Sequence, residues 1–256
     1  IQDLEYRREI DRYGSTLSGA DLIETALVDN LAKDVGDFLS FSKGKLRDIL
    51  HVYAEKYRIE NLKNIVRGIN QNMDKQNLER LVCPINDSDK ELYNKLYDSK
   101  TVEDMISSLE GTRYYNPLKK ALEARNSDSL QPLEDALDLI YYQNLVSNQP
   151  SGGADVEVYR DFVQLKVDIA TIKTLLRMRH RGIGAHDELL IGGGTLSTDL
   201  LSSTQSLDDL LTSLEGSKYF ELLEPHLKPD SIDLNSCVHS LDAVSYTHLR
   251  AHETTD

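Results

Sequence analysis

The sequence has no tryptophan, two cysteines and six prolines in 256 residues. Cys83 and Cys237 form no C-x-x-C pair. Two cysteines make neither a disulfide framework nor a cysteine-rich zinc module, and they fit a reducing compartment. Long hydrophobic runs are missing as well. The longest uncharged stretch, 139–154, contains Asn144, Asn148, Gln149, Pro150 and two glycines, and it falls short of the ~20 apolar residues that span a bilayer. The opening Ile1-Gln2-Asp3-Leu4-Glu5 is charged and has no apolar core of the signal-peptide kind. Cations are the scarcer charge, with 29 Lys+Arg against 43 Asp+Glu and a net charge of −14. Such a chain repels phosphate backbones, which argues against nonspecific nucleic-acid binding.

What is present is helical periodicity. Phe162, Leu165, Ile169, Ile172 and Leu176 step by three and four, one apolar stripe of a helix. Leu133, Ala136, Leu137 and Ile140 repeat the pattern, as do Ile23, Ala26, Leu27 and Leu31. The prolines fall mostly outside these stripes, and sustained alternation is hard to find, so an all-α fold is expected. Thr101-Val102-Glu103-Asp104 and Ser206-Leu207-Asp208-Asp209 match the helix-start pattern [ST]-x-x-[DE], in which a hydroxyl accepts a backbone N–H. Gly111 and Gly216 follow apolar stripes and suit left-handed helix ends. Ser147–Ala154 is the clearest linker.

These paired signals belong to an internal repeat. Ser108-Leu109-Glu110-Gly111-Thr112-Arg113-Tyr114-Tyr115 returns 105 residues later as Ser213-Leu214-Glu215-Gly216-Ser217-Lys218-Tyr219-Phe220. Asn61–Arg67 returns 110 residues later as Thr171–Arg177, and Glu24, Ala26 and Leu27 return as Glu134, Ala136 and Leu137. At one position Leu165 aligns with Glu55, so one copy breaks its own stripe. The spacing exceeds that of ordinary solenoid repeats, so each unit can be a small helical domain.

Candidate chemistry is sparse. Gly192-Gly193-Gly194 is not G-x-G-x-x-G, has no Gly-Lys-Ser/Thr and follows no strand; it is expected to be a turn between helices. His180 and His186 lie six apart with two glycines between them, unlike ligands on one helical face. Arg177, Arg179 and Arg181 are expected to serve the negative end of the preceding helix. The carboxylate pairs sit at helix starts or on polar faces. No catalytic, cofactor-binding or metal-binding residues are therefore assigned. The remaining candidates are the i, i+4 basic pairs Lys63/Arg67 and Lys173/Arg177, which occur in both units. They face a partner, close internal salt bridges to the paired Glu24 and Glu134, or lie on a solvated face.

Ser18–Leu27, Ile59–Gly68, Leu109–Tyr115, Ser129–Asp138 and Val167–Arg177, in that order, resemble the C subunit of A/V-type rotary ATPases, whose vacuolar counterpart is the d subunit. The resemblance covers nearly all of 1–243. It implies a funnel of three similar helical domains, truncated here: 1–45 ending a first unit, 46–155 a second, and 156–243 an incomplete third. Residues 244–256 resemble a translated sequencing adapter and are expected to pack poorly. The resemblance further implies a non-catalytic central-stalk subunit on the cytoplasmic face of the membrane. It would hold the shaft against the proteolipid rotor ring and bind neither nucleotide nor cofactor. A free-standing helical-repeat scaffold and a helical metalloenzyme using His180 and His186 are the alternatives.

Overall fold

The computed structural model describes residues 6–125, 129–149, 154–182, 190–228 and 231–253, with the backbone alone at 154–155, 228, 231 and 245–253. The helices are α1 Arg7–Tyr13, α2 Gly19–Phe41, α3 Gly44–Asn70, α4 Lys75–Leu81, α5 Asp87–Leu96, α6 Val102–Ser107, α7 Tyr115–Glu123, α8 Gln131–Ser147, α9 Ala154–His180, α10 Thr198–Ser203, α11 Leu207–Ser213, α12 Lys218–Leu223 and α13 Leu234–Glu253. A 3-10 turn, Glu224–His226, follows α12. The only extended pairing among the described residues joins β1 Leu227–Lys228 to β2 Ser231–Ile232, antiparallel and two residues long. The fold is all-α. The chain divides into two compact units, Ile1–Asn144 and Leu145–Asp256.

Each unit is built around one long helix. In the first this is α3, against which α2, α4 and α6 pack. Ile59, Leu62, Ile65, Val66 and Ile69 of α3 are buried and anchor that core. In the second it is α9, packed by α11 and α13. The stripe Phe162, Leu165, Ile169, Ile172 and Leu176 is buried in full. From Leu165 onward it forms one cluster with Leu201 of α10, Leu210 of α11, Tyr219 of α12 and Cys237 and Leu241 of α13. Both long helices have 27 residues and start 110 residues apart, at Gly44 and Ala154. The order long helix, capped short helix, short helix, closing helix is the same in both units: α3, α6, α7, α8 and α9, α11, α12, α13.

The helix ends follow from local chemistry. Thr101 accepts the N–H of Asp104 at the start of α6. Ser206 and Asp209 complete a reciprocal capping box at α11. Gly111 and Gly216 take φ of 84° and 79° just beyond α6 and α11, a conformation costly for any residue with a Cβ. α8 ends at Ser147 and α9 begins at Ala154; of the interval between them, only 148–149 lie among the described residues. α13 runs on into the segment expected to be adapter-derived. Val244 packs against the second unit's core, and the side chains beyond it lie outside those described.

One stripe differs from expectation. Ala26 of α2 is buried, yet Ile23, Leu27 and Leu31 are exposed. The helix period is as read from the sequence. The face it aligns is only partly covered among the described residues.

Candidate functional site

The two repeated basic pairs lie at equivalent joints, where the long helix of a unit meets its closing helix. On α3 the Lys63 ammonium is buried and bonds Asp138 of α8 at 2.6 Å, with Glu60 of its own helix at 3.4 Å. One turn on, Arg67 grips Glu134 with two parallel bonds, Nε to Oε1 at 2.8 Å and Nη2 to Oε2 at 2.7 Å. This fork geometry is the strong form of the arginine–carboxylate pair. The bond to Glu134 holds the Arg67 guanidinium above its usual range. Burial pushes the Asp138 carboxyl up, against the opposing pull of Lys63. On α9, Lys173 bonds Asp242 of α13 at 2.5 Å. Arg177 donates to Thr174 at 3.3 Å. The position matching Glu134 on α13 is Val238, so the closing helix of the second unit offers one carboxylate at this joint where α8 offers two.

Beneath these joints lies a feature that sequence reading missed. Glu55 of α3 is fully buried. Its Oε1 accepts the Tyr114 hydroxyl at 2.5 Å, and its Oε2 faces Arg58 at 3.2 Å and Arg113 at 2.5 Å. Arg58 continues to Asp89 of α5 at 2.7 Å. Burial alone would lower the Arg58 pKa, but Asp89 and Glu55 outweigh it and raise it. In the second unit the carboxylate is Asp168, 98% buried. It accepts the Tyr219 hydroxyl at 3.0 Å, the Thr195 hydroxyl, and the backbone N–H groups of Thr195 and Leu196. Each tyrosine ring also has a cation over it, Arg113 at 5.5 Å and Lys218 at 5.2 Å. So in both units a tyrosine just after the short capped helix is tied to a carboxylate on the long helix. The sequence signal was the repeated Glu-Gly-[Thr/Ser]-[Arg/Lys]-Tyr. The acceptors could not be aligned, because Glu55 matches Leu165 and Asp168 matches Arg58.

The glycine run serves this lock. Gly193 takes φ of 102°, and a Cβ on Gly194 would stand 2.0 Å from an Asp168 oxygen. Glycine lets the backbone come close enough for Thr195 and Leu196 to donate to the carboxylate. Arg179 turns inward and donates to Thr204 at the end of α10, at 3.1 Å. Arg179 thus ties the end of α9 to the end of α10, while Arg177 donates within its own helix. His180 is exposed at the end of α9, and His186 lies outside the described residues. Among the described residues, no three His, Cys, Asp or Glu side chains are grouped to hold a metal ion. No helix of the described residues is long and apolar enough to cross a membrane.

Repeated helical units, each with a carboxylate lock and an ion-paired closing joint, define an all-α repeat protein. The chain belongs to the ATP synthase (C/AC39) subunit family, whose sequence pattern matches residues 1–253. Proteins described as the C subunit of A-type ATP synthase are similar to it. That of Haloferax volcanii is 31% identical over 231 residues, covering 89% of this chain and 66% of the relative. That of Archaeoglobus fulgidus is 31% identical over 222 residues, covering 84% and 63%. That of Halobacterium salinarum is 29% identical over 251 residues, covering 94% and 71%. The chain spans about two thirds of the length of these curated relatives.

Proposed function

We propose that this chain is a non-catalytic central-stalk subunit of an A-type ATP synthase, a stiff socket between the rotating shaft and the membrane rotor ring. Family membership supports the assembly. The observation that carries the mechanical part is the repeated joint in which Lys63 and Arg67 clamp Asp138 and Glu134, and Lys173 clamps Asp242. A part that transmits torque must not shear between helices. Side chains packed at crystal-like density, tied across the helices by charge pairs of which Lys63–Asp138 has its cation buried, resist such sliding. The basic pairs then act as internal braces, and partner contacts fall to other surfaces. The socket would lie at the cytoplasmic face of the membrane, peripheral to it, and take part in ATP-linked movement of protons or sodium ions.

The experiment is reconstitution of the complete ATPase with and without this subunit, following ATP hydrolysis and ion movement in one preparation. Hydrolysis persisting while ion movement stops is the expected result. Ion movement retained without the subunit would remove the coupling role. A second arm tests the braces. Arg67→Glu should lower the melting temperature of the isolated chain. An unchanged melting temperature with weakened assembly would instead place Arg67 against a partner.

A further inference from the structure

The lock of the first unit ends on an unmet atom. In the second unit both oxygens of Asp168 are bonded, Oδ1 by the backbone of Thr195 and Leu196 and Oδ2 by the hydroxyls of Thr195 and Tyr219. In the first, the chain Tyr114–Glu55–Arg58 runs on to Asp89 in the first turn of α5. Asp89 is 6% exposed, and its Oδ1 accepts from Arg58. Its Oδ2 is buried and has no donor among the described residues. A buried carboxylate oxygen without a donor is costly, so such atoms in folded proteins have partners. The second unit shows that the lock itself needs no open end. Asp89 lines a cavity of about 300 Å³. That is the lower end of the range for small-molecule sites, and far more room than the one water that could serve a single oxygen. Arg58 and Arg113 line it too. They hold Asp89 and Glu55 through Nε and Nη1 of Arg58 and Nη2 of Arg113, which leaves other guanidinium N–H groups for a ligand's oxygens. Leu62 and Leu92 add an apolar wall.

We propose that this cavity binds a small α-amino acid as its zwitterion, the ammonium donating to Asp89 Oδ2 and the carboxylate accepting from Arg58 and Arg113. Charge selects this class. A simple anion would suit the arginines but also meet the unpaired oxygen of Asp89. A simple cation would suit Asp89 but face two guanidinium groups. Arg58 and Arg113 balance Glu55 and Asp89, so a ligand that carries both signs and no net charge completes the network. Guanidinium–carboxylate pairing is of the strong, directional kind. The leucine wall suits a short aliphatic side chain. Bound there, the amino acid would tie α5 to α3 and to the turn ahead of α7. The inference rests on the geometry of the first unit and is independent of the rotary role.

The probe is L-alanine, titrated into the 256-residue chain in a calorimeter. One saturable site is expected, weakened about tenfold by Asp89→Asn, the effect of losing one charge-assisted hydrogen bond. Asp89 also holds Arg58, so a second variant works from an exposed residue of the lining. Ser88→Trp fills the cavity and should abolish binding while the circular dichroism spectrum stays unchanged. Glycine betaine keeps both charges but has no N–H, and acetate has the carboxylate alone. Both should compete about tenfold more weakly than L-alanine. No saturable binding of L-alanine would overturn the proposal and leave Asp89 Oδ2 to water. Binding that either folded variant leaves unchanged would place the site elsewhere and overturn it equally. Competition by betaine or acetate as strong as that of L-alanine would remove the bond to Asp89, and the proposal with it.

Discussion

A buried carboxylate is stable only when its donors are, and Asp168 shows how closely they are fitted. Four groups donate to it, two of them backbone N–H groups brought near by Gly194. Gly194→Ala should therefore destabilise the chain by ~1–3 kcal/mol, as overpacking a filled site does, and the loss should show as a lower urea midpoint with an unchanged slope. A neutral outcome would mean that the loop can retreat without losing Thr195 and Leu196. Alkali probes the partner tyrosines. Burial first, and then the neighbouring carboxylate, pushes Tyr114 and Tyr219 above the usual phenol range. Burial likewise pushes the Cys83 thiol up to about 12. The folded state keeps these protons while the unfolded state releases them first. Stability is thus full below the unfolded pKa values and falls as pH rises past ~8.5 for the thiol and ~10 for the phenols. The melting temperature should drop across that range, with tyrosinate absorbance appearing at unfolding and not before it.

At the scale of elements, the two bonds of the first joint differ in setting and should differ in worth. The Lys63 side chain is 8% exposed, whereas that of Arg67 is 43% exposed. Solvent screens the second pair and discounts it, despite its better geometry. Double-mutant cycles should give a coupling of ~1–3 kcal/mol for Lys63–Asp138 and less than ~1 kcal/mol for Arg67–Glu134. The reverse order would show that fork geometry outweighs burial here. The elements themselves were largely legible in the sequence, because period, caps and C-terminal glycines are local signals: the Ser206 box and the left-handed Gly111 and Gly216 stand where the pattern places them. The carboxylate locks were not legible. Glu55 and Asp168 sit three positions apart in the aligned repeat, and each takes its tyrosine donor from more than 50 residues away. A stripe-breaking Glu55 opposite Leu165 was the one visible trace. The exposed face of α2 shows the converse limit. Periodicity finds an apolar line but does not say which neighbour covers it.

For the whole molecule, the question is what a net charge of −14 does to a fold braced by ion pairs. Two electrostatic effects oppose each other. Exposed pairs such as Arg12–Asp29 and Lys75–Asp98 stabilise by at most ~1 kcal/mol each, and salt weakens them. The excess of carboxylates repels itself across the surface, and salt relieves that repulsion. The buried network of Glu55, Arg58 and Asp89 is screened much less, since solvent hardly enters it. With 43 acids against 29 bases, repulsion involves far more charges than the exposed pairs do. Raising NaCl from about 0.01 M to about 0.3 M shortens the screening length from ~30 Å to below ~8 Å and should raise the melting temperature. The rise should be reproduced by KCl at the same ionic strength, because screening does not depend on the cation's identity. Should the melting temperature fall, exposed pairs would be carrying more of the stability than their solvation allows. A rise with one cation alone would point to specific binding at the acidic surface instead of screening.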